Sequence, residues 1–487
     1  MNDLEQIRAV VDKCVRCVRT NLLIPDAAAT LRLLSRRFNR AVKIEESASL
    51  VQELERLSEG GDVSATYELG LCYYADVGGA ASFEDAAQKF HDAARHKHGD
   101  AISALGVCFM EGRGGEYSSS KALKLFQLGA SLKNPTSVYN LGLCYFNGYG
   151  EIDQDFDLGI KYVREAAQLG SLDALNELGR ICSQGGLDGE PENHAVKYFQ
   201  EAANRGSGEG LFNLGIAYQT GDGVPENVTK AHDCFRQAYE SGYIGAYRVV
   251  AQLYRQGYFG AEDDAKATAL VEEAAALHEP HAIWELANEL FDQSSDPESL
   301  SRFFNLLSDG IRYGSADCAL MLGDIVDRGM LGEEEKSQAV QFWALASYNG
   351  SGDGSAKLAQ CFLSGRVVDQ DNGMALAMLK RGVSQDSPIA CYTLGMLLQT
   401  QCGKDSAAPV DAQYEMARKA ASLFEMGAEL GDAGCMRALA NCYKKGLGVD
   451  KNETRAKELV KRAKEVERED GSHGGFFTRI KRLFRRG

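Results

Sequence analysis

Thirteen cysteines and eight histidines lie along this 487-residue chain, and a few fall at spacings that could do chemistry. Cys14 and Cys17 form a Cys-x-x-Cys, the spacing of a redox dithiol or of half a zinc site. A zinc site needs four ligands and no second pair accompanies this one, so it reads as two residues on one turn of a helix. His91, His96 and His98 are close in sequence but lack a carboxylate or thiol at helical spacing, and read as surface histidines. Asp153, Asp155 and Asp157 imitate the opening of a calcium loop. Leu158 then stands where that loop needs Gly, and Arg164 where it needs Glu. The recurring Gly-x-Gly pairs (Gly112/Gly114, Gly221/Gly223, Gly446/Gly448) follow helices, whereas a phosphate cradle precedes a helix N-terminus after a strand. With no Gly-x-Ser-x-Gly elbow and no nucleophile–base arrangement, the expectation is a non-enzyme without metal, cofactor or small-molecule substrate.

What positions these residues is a repeat. A phrase small-x-x-x-Leu-Gly-x-x-Tyr returns with a period of about 36 residues. Its marker Gly falls at Gly70, Gly106, Gly142, Gly179, Gly215, Gly323 and Gly395, with Ala in its place at Ala251, Ala287, Ala359 and Ala440. Such a period marks a stack of supersecondary units, hence one continuous array rather than several globular domains. Residues 135–171 show the unit. Val138, Leu141, Cys144 and Tyr145 give a first helix one apolar face. Gly148 stops it, because Gly takes the left-handed conformation cheaply, and residues 160–169 form a second helix closed by Gly170. Small residues recur five before the marker (Ala65, Ala101, Gly210, Cys318), sixteen after it (Ala86, Ala231) and twenty-three after it (Ala93, Gly310). A bulky residue at these places would push neighbouring helices apart. Cysteines follow the same register: Cys72, Cys108, Cys144, Cys361 and Cys442 stand two after the marker, and Cys182 three after. That placement predicts small buried side chains in a reducing compartment rather than disulfides.

These positions resemble the Sel-1-like repeat (SLR) family, whose pattern is approximately A-x-x-x-L-G-x-x-Y-x-x-G-x-G, then K-A-x-x-W/F-x-x-A-A-x-x-G. Residues 210–224 (GLFNLGIAYQTGDGV) and 230–238 (KAHDCFRQA) match it almost throughout. The resemblance covers residues 62–463 in roughly eleven units. It implies an all-α fold, a right-handed α/α superhelix (solenoid) of TPR-like helix pairs, used as a scaffold or adaptor or, as in some relatives, to regulate an enzyme of kinase or synthase type. Two units depart from the pattern. The seventh lacks the Gly-x-Gly turn after Leu290 and carries Phe303 in place of the second-helix Ala; the tenth has a nine-residue insertion around 401–411.

A formal net charge of −16 argues against a nucleic-acid surface, which needs clustered Lys and Arg. No run of eighteen apolar residues occurs. The first residues, with Asp3, Glu5 and Asp12, have the form of neither a secretory nor a mitochondrial leader, so the expected location is the cytoplasm. Residues 1–61 are expected to form an N-terminal helical cap on the array, 464–475 a hinge and 476–487 a basic amphipathic tail. The tail carries Arg479, Lys481, Arg482, Arg485 and Arg486 and no acid. On a helix, Phe476, Ile480, Leu483 and Phe484 share one face, with Phe477 alongside. This pattern suits peripheral contact with an anionic membrane, where each basic side chain contributes about 1 kcal/mol. It suits equally a fold-back onto the acidic array or docking to a partner.

The resemblance places first helices on the concave side of the superhelix. Three before the marker stand Tyr67, Tyr139, Phe212, Trp284 and Tyr392; two before it stand Glu68, Asn140, Glu177, Asn213 and Glu285. In the related tetratricopeptide repeat the Asn at the second position can hold a peptide backbone, and Asn140 and Asn213 match it. An Asn offers both donor and acceptor, and aromatic neighbours give apolar area at low entropy cost. An aromatic stripe at repeat spacing is, however, more often packing between repeats. The expected function is a scaffold for an unidentified protein partner, basic in view of the acidic array.

Overall fold

The computed structural model describes residues 47–470 apart from 80–81, 150–151, 186, 188–193, 294–296, 330–337, 366 and 405–409, and ahead of them Thr30, Leu31, Leu34 and Arg37. The Cys14/Cys17 pair and the basic tail lie outside the described residues. Short polar side chains start one helix after another by accepting a backbone N–H. Asp62, Asn134, Ser171, Ser207, Ser351 and Asp432 do this for first helices, and Ser82, Ser118, Asp155, Asn227 and Asp371 for second helices. His98 belongs with them: its Nδ1 accepts from Ala101 N at 3.2 Å. It is half-buried, whereas His91 and His96 are exposed. The expectation of three surface histidines thus fails for His98, whose neutral ring is a helix cap. First helices end on left-handed residues where expected, at Gly112 (φ 66°), Gly148 (φ 63°), Gly221 (φ 79°) and Gly446 (φ 71°).

Among the described residues this gives 23 helices and no strand, the all-α solenoid class expected. They fall into two compact units, through Ala282 and from Ile283. The division lies in the seventh repeat, the one whose sequence loses its turn. The first unit holds α1 (Ser47–Glu59), α2 (Val63–Ala75), α3 (Phe83–Arg95), α4 (Gly99–Glu111), α5 (Ser119–Ser131), α6 (Pro135–Asn147), α7 (Phe156–Gln168), α8 (Leu172–Ser183), α9 (Ala195–Asn204), α10 (Gly208–Thr220), α11 (Val228–Glu240), α12 (Ile244–Arg255) and α13 (Asp264–Ala276). From α14 (Pro280–Gln293) onward come α15 (Pro297–Arg312), α16 (Ala316–Asp327), α17 (Ala339–Tyr348), α18 (Gly352–Ser364), α19 (Asn372–Ser384), α20 (Pro388–Lys404), α21 (Val410–Glu429), α22 (Ala433–Lys445) and α23 (Glu453–Asp470). Residues 464–470 of the expected hinge are therefore helix. The tenth-unit insertion lengthens helices: α20 has 17 residues and α21 has 20, against 13 in α6.

Six of the seven marker glycines are fixed by an aromatic ring; the seventh, Gly142, lies against Val163, whose Cγ2 would stand 3.1 Å from an added methyl. A methyl group on Gly70 would stand 2.7 Å from Phe90, and one on Gly106 would stand 2.5 Å from Phe126. The corresponding distances are 2.4 Å for Gly179 to Phe199, 2.6 Å for Gly215 to Phe235, 2.7 Å for Gly323 to Trp343 and 2.5 Å for Gly395 to Phe424. Each ring belongs to the second helix of the same pair. Where the marker is Ala, the residue twenty further on is aliphatic: Val271 after Ala251, Leu307 after Ala287, Leu379 after Ala359 and Val460 after Ala440. At these four markers the added methyl goes with a smaller residue twenty further on. A second contact joins successive pairs. A methyl on Gly129 would meet Ser137, on Gly310 Cys318, on Gly427 Cys435, and on Gly210 Ala202. The register cysteines fill the same interior. Cys72, Cys108, Cys144, Cys182 and Cys442 are buried, Cys361 is half-buried, and all ten described cysteines are free thiols. Burial pushes Cys72 and Cys144 up to about 12, so neither is a thiolate at neutral pH.

Gly215→Ala should therefore destabilise, by about 1–3 kcal/mol from overpacking, although Ala is the better helix former by about 1 kcal/mol. Phe235→Leu alone leaves a cavity, and in combination with Gly215→Ala it should recover part of both losses. Urea melts of the two single variants and the double one measure the coupling; strictly additive losses would refute the volume compensation.

Candidate partner-binding face

The aromatic residues of the expected groove are placed mainly between repeats. Tyr67 is 8 % exposed, with its ring centroid 5.9 Å from Phe90 and 4.8 Å from the His98 cap. Phe212 repeats the arrangement at 5.3 Å from Phe235 and 5.5 Å from Tyr243. Trp284 is half-buried against the cluster around Leu307 and Trp343. Tyr392, 6.3 Å from Phe424, is 39 % exposed. The ring position thus joins three elements, the second helix of its own pair and the cap of the next first helix, and leaves one edge outward only in places.

The polar residues two before the marker differ more. Glu68 is paired with Arg37 from the segment ahead of the array, and Arg37 also holds Asp62, the α2 cap, at 3.0 Å. Burial raises the Glu68 carboxyl, while backbone N–H groups and Arg37 lower that of Asp62. Asn140 is fully buried, and its Nδ2 donates to Ser103 Oγ of α4 at 3.0 Å. In this conformation the amide staples two first helices and does not face solvent. Asn213 and Glu285 are half-buried.

Tyr139 and Glu177 are the two expected site residues that the fold brings into one neighbourhood, on α6 and α8. Three charged residues that the sequence reading missed join them: Asp173 and Arg180 on α8, and Glu209 on α10. Arg180 forks onto Glu177, with Nε to Oε2 at 3.0 Å and Nη2 to Oε1 at 2.5 Å. Tyr139 is buried, and burial with the nearby charges of Glu177, Asp173 and Glu209 raises its hydroxyl well above its ordinary value. Glu209 is half-buried, and its carboxyl is pushed up to about 7, first by desolvation and then by Asp173. The nearby Asn176 amide pulls the other way. That same amide donates through Nδ2 to Ser207 Oγ, the α10 cap, at 3.0 Å. Its Oδ1 is enclosed and has no hydrogen-bond partner. The signal was in the register: Asp173 and Glu209 both stand six before their markers, in consecutive repeats. Among the described residues no group of three or more His, Cys, Asp or Glu could hold a metal ion.

The pH consequence has a definite sign. The folded protein favours protonated Glu209, so the stability this residue contributes is complete below pH 4.5 and is lost as pH rises through about 7. Glu209→Gln keeps the shape without the charge. It should match wild type near pH 5 and exceed it at pH 8 by on the order of 1–3 kcal/mol. Equal urea midpoints at pH 8 would show that the carboxyl ionises freely.

Solved structures with similar helical stacks include a protective antigen of uropathogenic Escherichia coli strains that displays an SLR fold. It shares 22 % identity over 99 % of this chain and 90 % of that one, with a TM-score of 0.32. A Sel1 repeat protein from Oxalobacter formigenes shares 22 % over 52 % of this chain and 97 % of its own, with a TM-score of 0.36. An immunity protein from Pseudomonas aeruginosa shares 18 % over 45 % and 82 %, with a TM-score of 0.35. Overlaps this low say nothing about what this chain binds. A search of curated proteins finds no match. No helix among the described residues is long and apolar enough to cross a membrane. Residues 99–134, 135–171, 172–207, 208–243, 353–387, 417–432 and 433–465 match the Sel1 repeat, the first four beginning with α4, α6, α8 and α10, and the chain thus carries seven Sel1 repeats over just under half of its length.

Proposed function

We propose that this chain is a non-enzymatic scaffold that holds a segment of another protein along its first-helix face, centred on α6, α8 and α10. Sel1 repeat proteins generally act in protein–protein interaction, on a fold of scaffold type. The observation that carries the reading is the surface left over by repeat packing. On α10, Glu209, Phe212, Asn213 and Ile216 follow helical spacing and share one stripe. Ile216, beside the buried marker Gly215, is 40 % exposed. The same two positions on α20 hold Tyr392 and Met396, 39 % and 37 % exposed. Apolar side chains left outward in one register, in each unit, next to half-buried polar groups, have the make-up of a peptide-holding surface. Residues 476–487, outside the described residues, are proposed as a tether to an anionic surface, on the alternation of five basic side chains with Phe476, Ile480, Leu483 and Phe484.

A photo-crosslinking amino acid at Ile216 should give adducts of discrete mass in the source cell, and one at the exposed Val228 of α11 should not. Matching adducts from both positions, or none from Ile216, would remove the groove from consideration. Full-length protein should float with vesicles containing anionic lipid, and a truncation ending at Asp470 should not. Equal flotation rejects the tether, and a lower melting temperature of the truncation would assign the tail to the array instead.

A further inference from the structure

We infer that residues 18–25, outside the described residues, lie along the first-helix face of α2, α4 and α6, and that this face is open to another protein only from α8 onward. The inference concerns the chain's own segment and stands independently of the scaffold reading above.

The observation is a change within one register. One place after the marker, α8 carries Arg180, α10 Ile216, α12 Gln252, α18 Gln360 and α20 Met396, all exposed. The same place holds Leu71 on α2, Val107 on α4 and Leu143 on α6, which are 0 %, 0 % and 4 % exposed. Three before the marker, Tyr67, Ser103 and Tyr139 are buried as well, whereas Phe212 is half-buried and Tyr392 exposed. The packing of a marker on its ring is alike on both sides of the change, at Gly70 and Gly106 before it and at Gly179 and Gly215 after it. Pairing within a repeat therefore does not account for the closure. On α6 the closure ends, since Leu143 is enclosed and Asn147, one turn on, is exposed.

The chain itself arrives on this face. Thr30, Leu31 and Leu34 are buried ahead of α1, and Arg37 reaches Glu68, two before the first marker, as well as the α2 cap Asp62. Shortly before them stand Val18, Leu22, Leu23 and Ile24, with no charge between Arg19 and Asp26. An aliphatic run of this kind needs cover, and the uncharged strip of Leu71, Val107 and Leu143 complements it. A charged segment would lose its hydration there without a partner in return. The reach is sufficient. First helices of successive repeats lie about 8–10 Å apart, so α2 to α6 is about 16–20 Å. The twelve residues 18–29 span about 18 Å as a helix and up to about 40 Å extended.

The test uses the full-length chain with a photo-crosslinking amino acid at Leu23. In the monomer it should link to the tryptic peptides 98–113 and 134–161, which carry Val107 and Leu143. Links confined to 57–89 would reduce the segment to an end cap and overturn the inference. Links found only in dimers would give the face to a second copy, and no link would leave it closed by the stack alone; either overturns it too. Hydroxyl-radical footprinting checks the unlabelled chain. In Leu22→Asp/Ile24→Asp the oxidation of Leu143 should rise from its protected level toward that of Ile216, with Ile216 itself unchanged. Unaltered protection of Leu143 overturns the inference. Buried Leu214 is the control for folding, and if it is oxidised as well the cross-link decides. Loss of partner adducts at Ile216 with the Leu23 link intact would remove the scaffold and keep the self-contact; the converse result would do the reverse.

Discussion

The rings of Phe90, Phe126, Phe199 and Phe235 each rest on a glycine at a distance that leaves no room for a methyl group. That contact sets how closely the two helices of a pair approach, and the other regularities follow from it. Pairs at a fixed separation can stack with a fixed step. A fixed step brings the residue twenty-three after one marker against the residue five before the next, where Gly129 meets Ser137 and Gly310 meets Cys318. Apart from Gly142, which meets Val163, the pairs trade volume between marker and partner. Ala with Val271, Leu307, Leu379 or Val460 replaces Gly with an aromatic ring, moving a carbon or more from one side of the interface to the other. Trp343 on Gly323 is the same exchange at its large extreme.

Because the marker and its ring occupy one side of each first helix, the opposite stripe is released from packing. Polar groups there join one repeat to the next: Asn140 to Ser103, Asn134 and Thr136 to Asp100, Asn176 to Ser207, Ser387 to Asp353. The donors stand at several different places relative to the marker, and each closes a bond between neighbouring repeats.

Much of this was legible in the sequence, for a reason that also marks its limit. Period, turn glycines and the cysteine register were readable because each recurs, and recurrence separates a packing requirement from chance. The helix stops at Gly112, Gly148, Gly221 and Gly446 followed directly. The partner of each marker glycine was not legible, since a pattern names positions and not which of them touch. His98 was misread for a related reason: most first helices are capped by Ser, Asp or Asn, and an imidazole in that role is visible only when its Nδ1 is seen to face Ala101 N. Asn140 illustrates the opposite risk. Its register matches a peptide-holding position in a related family, but the neighbouring repeat supplies Ser103, and the amide turns inward to it. Asp173 and Glu209 escaped because a pattern does not say that acids six before consecutive markers fall close enough for one to raise the other.

A stack of this kind can carry such a departure at low risk. Each repeat contacts only its neighbours, so the cost of a poorly solvated carboxyl at α8–α10 stays within that junction. In a globular core the same pair would strain one shared interior, and the remedy would be its removal. The Phe199 and Phe235 rings sit on Gly179 and Gly215 in the very pairs that present Asp173 and Glu209, on the other side of the same helices. Apolar packing on one side and a carboxyl raised by desolvation on the other share one helix pair, so the rigidity comes from the feature that repeats while the departure stays local.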